Sequence, residues 1–223
     1  PTLYSYRGRM EVSGSRISRE DFAAYITQVS DVIAAMTKDG YPHPTAFEIE
    51  TAVAFLFFKK ENCDLVLLEV GMGGNLDATN IIKNTLLAVL VSISMDHMSF
   101  LGNTLAQIAE KKAGIIKDGC RVVTARQKPE AMQVIERISR EHGAKCTIAD
   151  ASEAEVLKES CFGQTIRYRG EEYEIPLAGV YQKENAVVAL NALKVLDELG
   201  FPTAAEQKKE GLRTVNWNGR FTD

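Results

Sequence analysis

Two rhythms of apolar residues run along this chain, one with the 3.6-residue period of a helix and one in short continuous runs. Tyr4 to Val12 reads as an extended segment closing at Ser13-Gly14. Ser18, with Asp21 three residues on, then signals a helix start, and Phe22, Ile26, Val29, Ile33 and Met36 follow at helical spacing. Asp39-Gly40, Pro42 and Pro44 end that helix. Thr45 with Glu48 forms a capping-box pair ahead of Ile49, Val53, Leu56 and Phe57, predicting a second helix to about Lys60. The apolar run that begins at Leu65 predicts a strand with the carboxylate of Glu69 at its tip, breaking at once into G-M-G-G. Leu86 to Ser94 is a longer apolar run, as expected of a strand buried on both faces, with a polar end at Ser94-Met95-Asp96-His97.

The alternation continues with a helix from Thr104 to about Ile116, a strand at Val122 to Ala125, a helix from Pro129 to His142 and a strand at Ala144 to Ala149. Strand alternating with helix predicts an α/β fold, a mostly parallel sheet flanked by helices. Between Gln164 and Leu177 the rhythm breaks: Ile166, Tyr168, Tyr173 and Ile175 alternate around Arg169-Gly170-Glu171, predicting a small edge hairpin. A long helix from Lys183 to Leu199 stops at Gly200 with Pro202 beyond it. No internal repeat and no low-complexity segment is present.

Composition narrows the function classes. The chain has 223 residues, 45% of them hydrophobic, and a net charge of -4. Nucleic-acid binding is disfavoured, since Lys and Arg form no cluster or run. No apolar stretch approaches the ~20 residues of a membrane span, which disfavours a membrane partner. Cys63, Cys120, Cys146 and Cys161 are scattered without a C-x-x-C pair, which fits reduced thiols and a cytoplasmic location. Pro1 at one end and W-N-G-R-F-T-D at the other read as cuts from something longer. Oligomeric state is not encoded in any visible pattern; a monomer is the favoured expectation.

Candidate chemistry gathers at strand tips and on one helix face. In open α/β sheets ligands bind outside the carboxyl ends of the strands, so Glu69 and the Asp96-His97 pair are expected at one edge. On the helix that follows, Leu105, Ile108, Ala109 and Ile116 fall in one stripe, and Lys112 falls near its centre. A lysine in such a place finds an anion, loses its proton, or snorkels along its own stem to water. Its neutral amine can act as nucleophile or base, or take up carbon dioxide as a carbamate and become an anionic ligand. Glu69, His97 and that carbamate make a ligand set suited to Mg²⁺ or Mn²⁺, and the trio favours the metal reading.

At these residues the chain resembles the folylpolyglutamate synthase and dihydrofolate synthase family, within the Mur-type ATP-dependent amide ligases. The matching segments are L-E-V-G-M-G-G-N-L-D-A-T-N from Leu68, S-I-S-M-D-H from Ser92, L-G-N-T-L-A-Q-I-A-E-K-K-A-G-I-I-K from Leu101, G-V-Y-Q-K-E-N-A from Gly179 and W-N-G-R-F from Trp217. The resemblance implies a Mur-ligase-like central domain, similar to P-loop NTPases, spanning residues 1–223. The family's phosphate loop would lie upstream of it and a smaller C-terminal domain downstream, so the chain alone is expected to be inactive. It also implies that ATP activates a folate or dihydropteroate carboxylate as an acyl phosphate, which the amino group of L-glutamate then attacks.

By motif position, Glu69 and His97 would ligate magnesium and Lys112 would carry the carbamate. Asn185 and Arg220 would contact the nucleotide. Asp77, Thr79 and Asn80 would shape the site near the substrates, or else only cap the turn after the glycines. Asn218 departs from the family pattern, where proline is usual before Gly219. Two other readings are a Mur-type ligase acting on a peptidoglycan precursor, against which D-A-T-N argues, and a noncatalytic nucleotide-binding module.

Overall fold

Capping side chains start both N-terminal helices where the sequence places them. The computed structural model describes residues 5–95 and 98–216. Ser18 accepts from the Asp21 backbone N–H at 2.9 Å and opens helix α1 (Arg19–Lys38). Thr45 and Glu48 form the full reciprocal capping box of helix α2 (Ala46–Lys60). Ahead of them the expected extended segment is instead a 3₁₀ turn at Tyr6–Arg9, followed by the short antiparallel pair β1 (Glu11–Val12) and β2 (Ser15–Arg16). Ser13 and Gly14 both take positive φ, 49° and 79°, which suits a two-residue hairpin turn.

Two compact units account for the chain, Pro1–Gly71 with Asp77–Ile81 and Met72–Leu76 with Ile82–Asp223. The first is organised around Met10, Ile17, Val53 and Phe57, against which Phe22, Ile26 and Val29 of α1 pack. Lys60 pairs with Asp21 at 2.6 Å, tying the end of α2 to the start of α1.

The apolar run from Leu65 does not form the expected strand. Residues 65–70 carry no strand pairing among the described residues, and Leu67 is 93% exposed. An apolar run has strand character only when a neighbour supplies the other half of the ladder, which a linear pattern cannot show.

The second unit is the α/β body. Its parallel sheet runs in the order β3 (Leu87–Leu90), β4 (Arg121–Ala125), β5 (Lys145–Ala149), with Leu87 opposite Arg121 and Arg121 opposite Lys145. Strand β3 is shorter than the run from Leu86 to Ser94, because its ladder stops where Leu90 meets Thr124. A short helix α3 (Met98–Leu101), which the sequence pattern does not show, precedes helices α4 (Leu105–Ala113) and α5 (Pro129–Glu141), which follow that pattern, α4 ending short of Ile116. Side chains alternate across the sheet with period two. Ala88, Leu90 and Val122 face one core with Ile108 and Ile135, whereas Val123 and Ala125 face a second core with Val187 and Leu190.

A separate antiparallel sheet joins β6 (Glu155–Ser160), β7 (Gly163–Tyr168) and β8 (Glu171–Ile175). The β7–β8 hairpin turns at Arg169-Gly170, both with positive φ, as the sequence places it. The sequence pattern does not show β6, because five of its six residues are exposed and leave no apolar alternation. Helix α6 (Gln182–Glu198) closes the second core, and helix α7 (Ala205–Arg213), which buries no residue, is equally invisible to a hydrophobic pattern. No helix among the described residues is long and apolar enough to cross a membrane.

Polar links hold α7 alongside the packing of half-buried Leu212 against the second core. Asp197, near the end of α6, accepts from the Thr203 N–H at 2.7 Å and pairs with Lys208, and Lys209 reaches Glu171 of β8 at 2.7 Å. The Lys208 ammonium holds the Asp197 carboxyl below the usual carboxylate range, with the Thr203 amide adding to it. A depressed folded pKa stabilises fully above the unfolded value, about 4, and the contribution is lost as pH falls through the lower folded value. Asp197→Ala is therefore expected to destabilise this corner by about 1 kcal/mol at neutral pH. Faster amide exchange across Ala205–Arg213, with less difference from wild type at pH 3, is the measurable outcome.

Candidate functional site

The glycine-rich turn is built differently at its two ends. In the first unit, Gly71 donates its N–H to Asp77 Oδ2 at 3.0 Å, while Asp77 Oδ1 accepts from the Thr79 N–H at 2.9 Å and the Thr79 hydroxyl at 2.6 Å. The Asn80 N–H donates to the Asp77 carbonyl at 2.9 Å. One carboxylate thus fixes both the glycine and the short 3₁₀ turn at Ala78–Ile81, and Thr79 is buried beneath it. This is the turn-capping role that Asp and Thr perform through local hydrogen bonds. Glu69, two residues before Gly71, is exposed, and no hydrogen bond or ion pair joins it to another described residue.

In the second unit the middle of the turn lies on the end of α4. Asn75 donates its N–H to the Lys111 carbonyl at 3.1 Å. A Cβ on Gly74 would stand 2.6 Å from the Lys111 carbonyl oxygen and 2.7 Å from that of Lys112. A Cβ on Gly114 would stand 2.3 Å from the Asn75 Cβ. Gly114 caps α4 at φ -60°, a conformation open to any residue, so only its missing side chain explains it. The two glycines let turn and helix approach to backbone contact. Sequence reasoning passes over them, since a glycine at a helix end reads as an ordinary C-cap.

Lys112 stands in the last turn of α4, flanked by the buried Ile108, Ala109 and Ala113. It is half-buried, and no hydrogen bond or ion pair joins its side chain to another described residue. The helix ends at Ala113, short of Ile116, which nonetheless packs in the same core as Ile108 and Ala109. Asn185 stands in the first turn of α6, half-buried, with its Nδ2 donating to Gln182 Oε1 at 3.2 Å. The Tyr181 side chain makes no cap there.

Glu69 and Lys112 belong to different units, and His97 and Arg220 lie outside the described residues. Among the described residues no three carboxylate, imidazole or thiol groups gather as a metal site. The donors themselves fit a hard cation: an unpartnered carboxylate at Glu69, and a lysine amine that a carbamate would turn into a second oxygen donor.

With an α/β body, a glycine turn seated on a helix end and a lysine beside it, the chain belongs to the Mur ligases, whose middle-domain model matches residues 19–193. Within them it falls in the folylpolyglutamate synthase and dihydrofolate synthase family that the motifs implied. It is 36% identical to the dihydrofolate synthase/folylpolyglutamate synthase of Bacillus subtilis, over 99% of this chain and 53% of that one. A probable folylpolyglutamate synthase of Schizosaccharomyces pombe is 30% identical over 99% of this chain and 42% of its own length. Among solved structures, Mycobacterium tuberculosis folylpolyglutamate synthase complexed with ADP and AMPPCP aligns at a TM-score of 0.84 and 32% identity, covering 98% of this chain and 52% of that one. The Thermotoga maritima enzyme aligns at 0.85 and 31%, covering all of this chain and 51% of its own. The chain therefore spans about half the length of the relatives it matches.

Gly114→Ala is expected to destabilise the second unit by about 1–3 kcal/mol, because backbone faces the new methyl and a flexible side-chain tip does not. Denaturant unfolding measures the loss, and faster exchange of the Asn75 amide locates it. Gly119→Ala, at φ +70° with nothing within 4 Å, is the control for backbone strain without overlap.

Proposed function

We propose that the protein containing this chain is an ATP-dependent ligase that joins L-glutamate to the carboxylate of a folate or of dihydropteroate. A carboxylate resists attack by an amine until one of its oxygens becomes a leaving group. Transfer of the γ-phosphoryl group of ATP supplies that leaving group as an acyl phosphate, and the glutamate nitrogen displaces phosphate from it. In this reading residues 1–223 form the central nucleotide-binding domain. The observation that carries the reading is the joint one at the α4 junction: a family glycine turn, seated by Gly74 and Gly114 directly on the backbone of the helix end that bears Lys112.

Each candidate residue that the structure describes has a role its surroundings allow. Lys112, whose half-buried side chain has no partner among the described residues, is assigned the carbamate. Glu69, His97 and that carbamate would hold Mg²⁺, whose charge would neutralise the transferring phosphoryl oxygens. Asn185, at the opening turn of a 17-residue helix, is assigned to the nucleotide, a role that a helix start supports. Arg220 is assigned to the nucleotide by its motif. Asp77, Thr79 and Asn80 act on the substrates through the turn they hold rather than by free side chains. The relatives named above include one complexed with ADP and AMPPCP, which supports a nucleotide substrate.

The test uses the full-length parent protein and measures glutamate-dependent ATP hydrolysis with dihydropteroate and with a reduced folate as acceptors. Turnover with either acceptor, lost in Lys112→Ala and in Glu69→Gln by about 10³-fold or more, is the expected result. Partial recovery of Lys112→Ala by acetate or another short carboxylate is expected if a carbamate is the working form. Near-wild-type turnover in Lys112→Ala would reject the assignment of that lysine, and turnover with neither acceptor would reject the ligase reading.

A further inference from the structure

The carboxyl end of the parallel sheet holds a buried polar group that no motif singles out. Gln127 follows β4 by two residues and is 9% exposed. Its Oε1 accepts from the Ile93 N–H at 2.9 Å, and its Nε2 donates to the Val91 carbonyl at 2.9 Å and to the Thr124 hydroxyl at 3.1 Å. Thr124 is itself fully buried and donates its hydroxyl hydrogen to the Ala125 carbonyl at 3.0 Å. The orientation of the amide is fixed, because a reversed carboxamide would face N–H with N–H at Ile93 and oxygen with oxygen at Val91.

A single residue of a parallel neighbouring strand makes the same pair of bonds, its C=O accepting from one N–H and its own N–H donating to the carbonyl two positions earlier. The β3–β4 ladder stops at Leu90 and Thr124, and the Gln127 side chain supplies the next step of pairing to Val91 and Ile93. The other side of Gln127 is anchored as well. The Arg126 N–H donates to the Ala149 carbonyl at 3.2 Å, and the Arg126 guanidinium holds Asp150 at the end of β5. The backbone that leaves β3 is thus tied, through one side chain, to the ends of both other strands.

We propose that Gln127 is a positioning residue of the ligase site: its carboxamide, standing in for one strand residue, fixes the Val91–Ile93 backbone where the chain leaves the sheet, ahead of Asp96 and His97 in the sequence. The inference rests on the ligase reading above and deepens it. Gln127 touches no reacting atom; it holds Ile93, the second residue of the S-I-S-M-D-H motif, at the carboxyl end of the sheet, where ligands of open α/β sheets bind. Catalytic groups misplaced by a fraction of an ångström lower turnover more than ground-state binding.

The experiment compares the full-length parent protein with Gln127→Met, which keeps side-chain length and removes the amide, and with Thr124→Val, which removes only the hydroxyl partner. Gln127→Met is expected to speed amide exchange at Ile93 about tenfold or more, as a buried N–H loses its acceptor. It is also expected to lower kcat for glutamate-dependent ATP hydrolysis about tenfold while KM for ATP stays within about twofold. Thr124→Val is expected to leave both readouts within about threefold of wild type, since the pairing to Val91 and Ile93 survives. Unchanged Ile93 exchange in Gln127→Met overturns the proposal, and so does faster exchange with wild-type kcat. If Gln127→Met does not fold, Gln127→Glu keeps the acceptor for Ile93 and loses the donor to Val91; wild-type kcat in that variant also overturns it. A parent protein without glutamate-dependent turnover defeats the ligase reading instead, and the Ile93 exchange then decides alone whether Gln127 holds the segment.

Discussion

Burial of β4 on both faces is the constraint from which the α/β body follows. Val122 and Val123 are consecutive and both fully buried, yet they belong to different cores. A strand in that position needs a partner on each side and a helix layer above and below, since neither face can be left to water. Strands β3 and β5 supply the edges, α4 and α5 one layer, and α6 the other. Parallel pairing then places all three carboxyl ends at one edge, so the segments leaving β3, β4 and β5 begin side by side. Gln127 and the Val91–Ile93 backbone it pairs with lie at that edge, where a rigid base meets the loops.

The glycines of the central turn do two kinds of work, and only one is conformational. Gly73 takes φ +72°, where a side chain would be strained. Gly74 and Gly114 have ordinary backbones and serve by lacking a Cβ, which allows the Asn75 N–H to reach the carbonyl of Lys111. That bond satisfies one of the carbonyls that a helix end leaves unpaired. The turn is therefore a capping element of α4 as well as a loop, and its position is tied to the backbone of the residue next to Lys112.

Helix starts, the parallel α/β pattern and the β7–β8 hairpin were legible in the sequence, because each is written locally: Ser18 and Thr45 in the caps, the alternation from Leu86 to Ala149, Arg169-Gly170 in the turn. The failures share a cause. Whether Leu65 to Glu69 pairs, and where β3 stops, depends on a neighbouring strand that the linear pattern does not contain. Strand β6 and helix α7 are held mainly by edge pairing and ion pairs, so they show no apolar period. At the site, Lys112 stood out because a charge interrupts an apolar stripe, and Glu69 because a carboxylate ends an apolar run. Gln127 gave no signal, since a single glutamine after a strand looks like any loop residue until its three partners are in place.

The location of Lys112 bears on the chemical form it can take. An unmodified ammonium in the last turn of α4 is favoured by the helix dipole, by roughly 0.3–1 kcal/mol for an exposed group. Conversion to a carbamate reverses the sign, so the same field opposes the modification at the place where the family motif puts it. Half-burial adds to the cost, because an anion at the edge of an apolar core keeps only part of its hydration. A carbamate at this position would therefore be stabilised by a cation beside it. In the proposed site, carbamate formation and cation binding would be linked, each raising the occupancy of the other by the same factor.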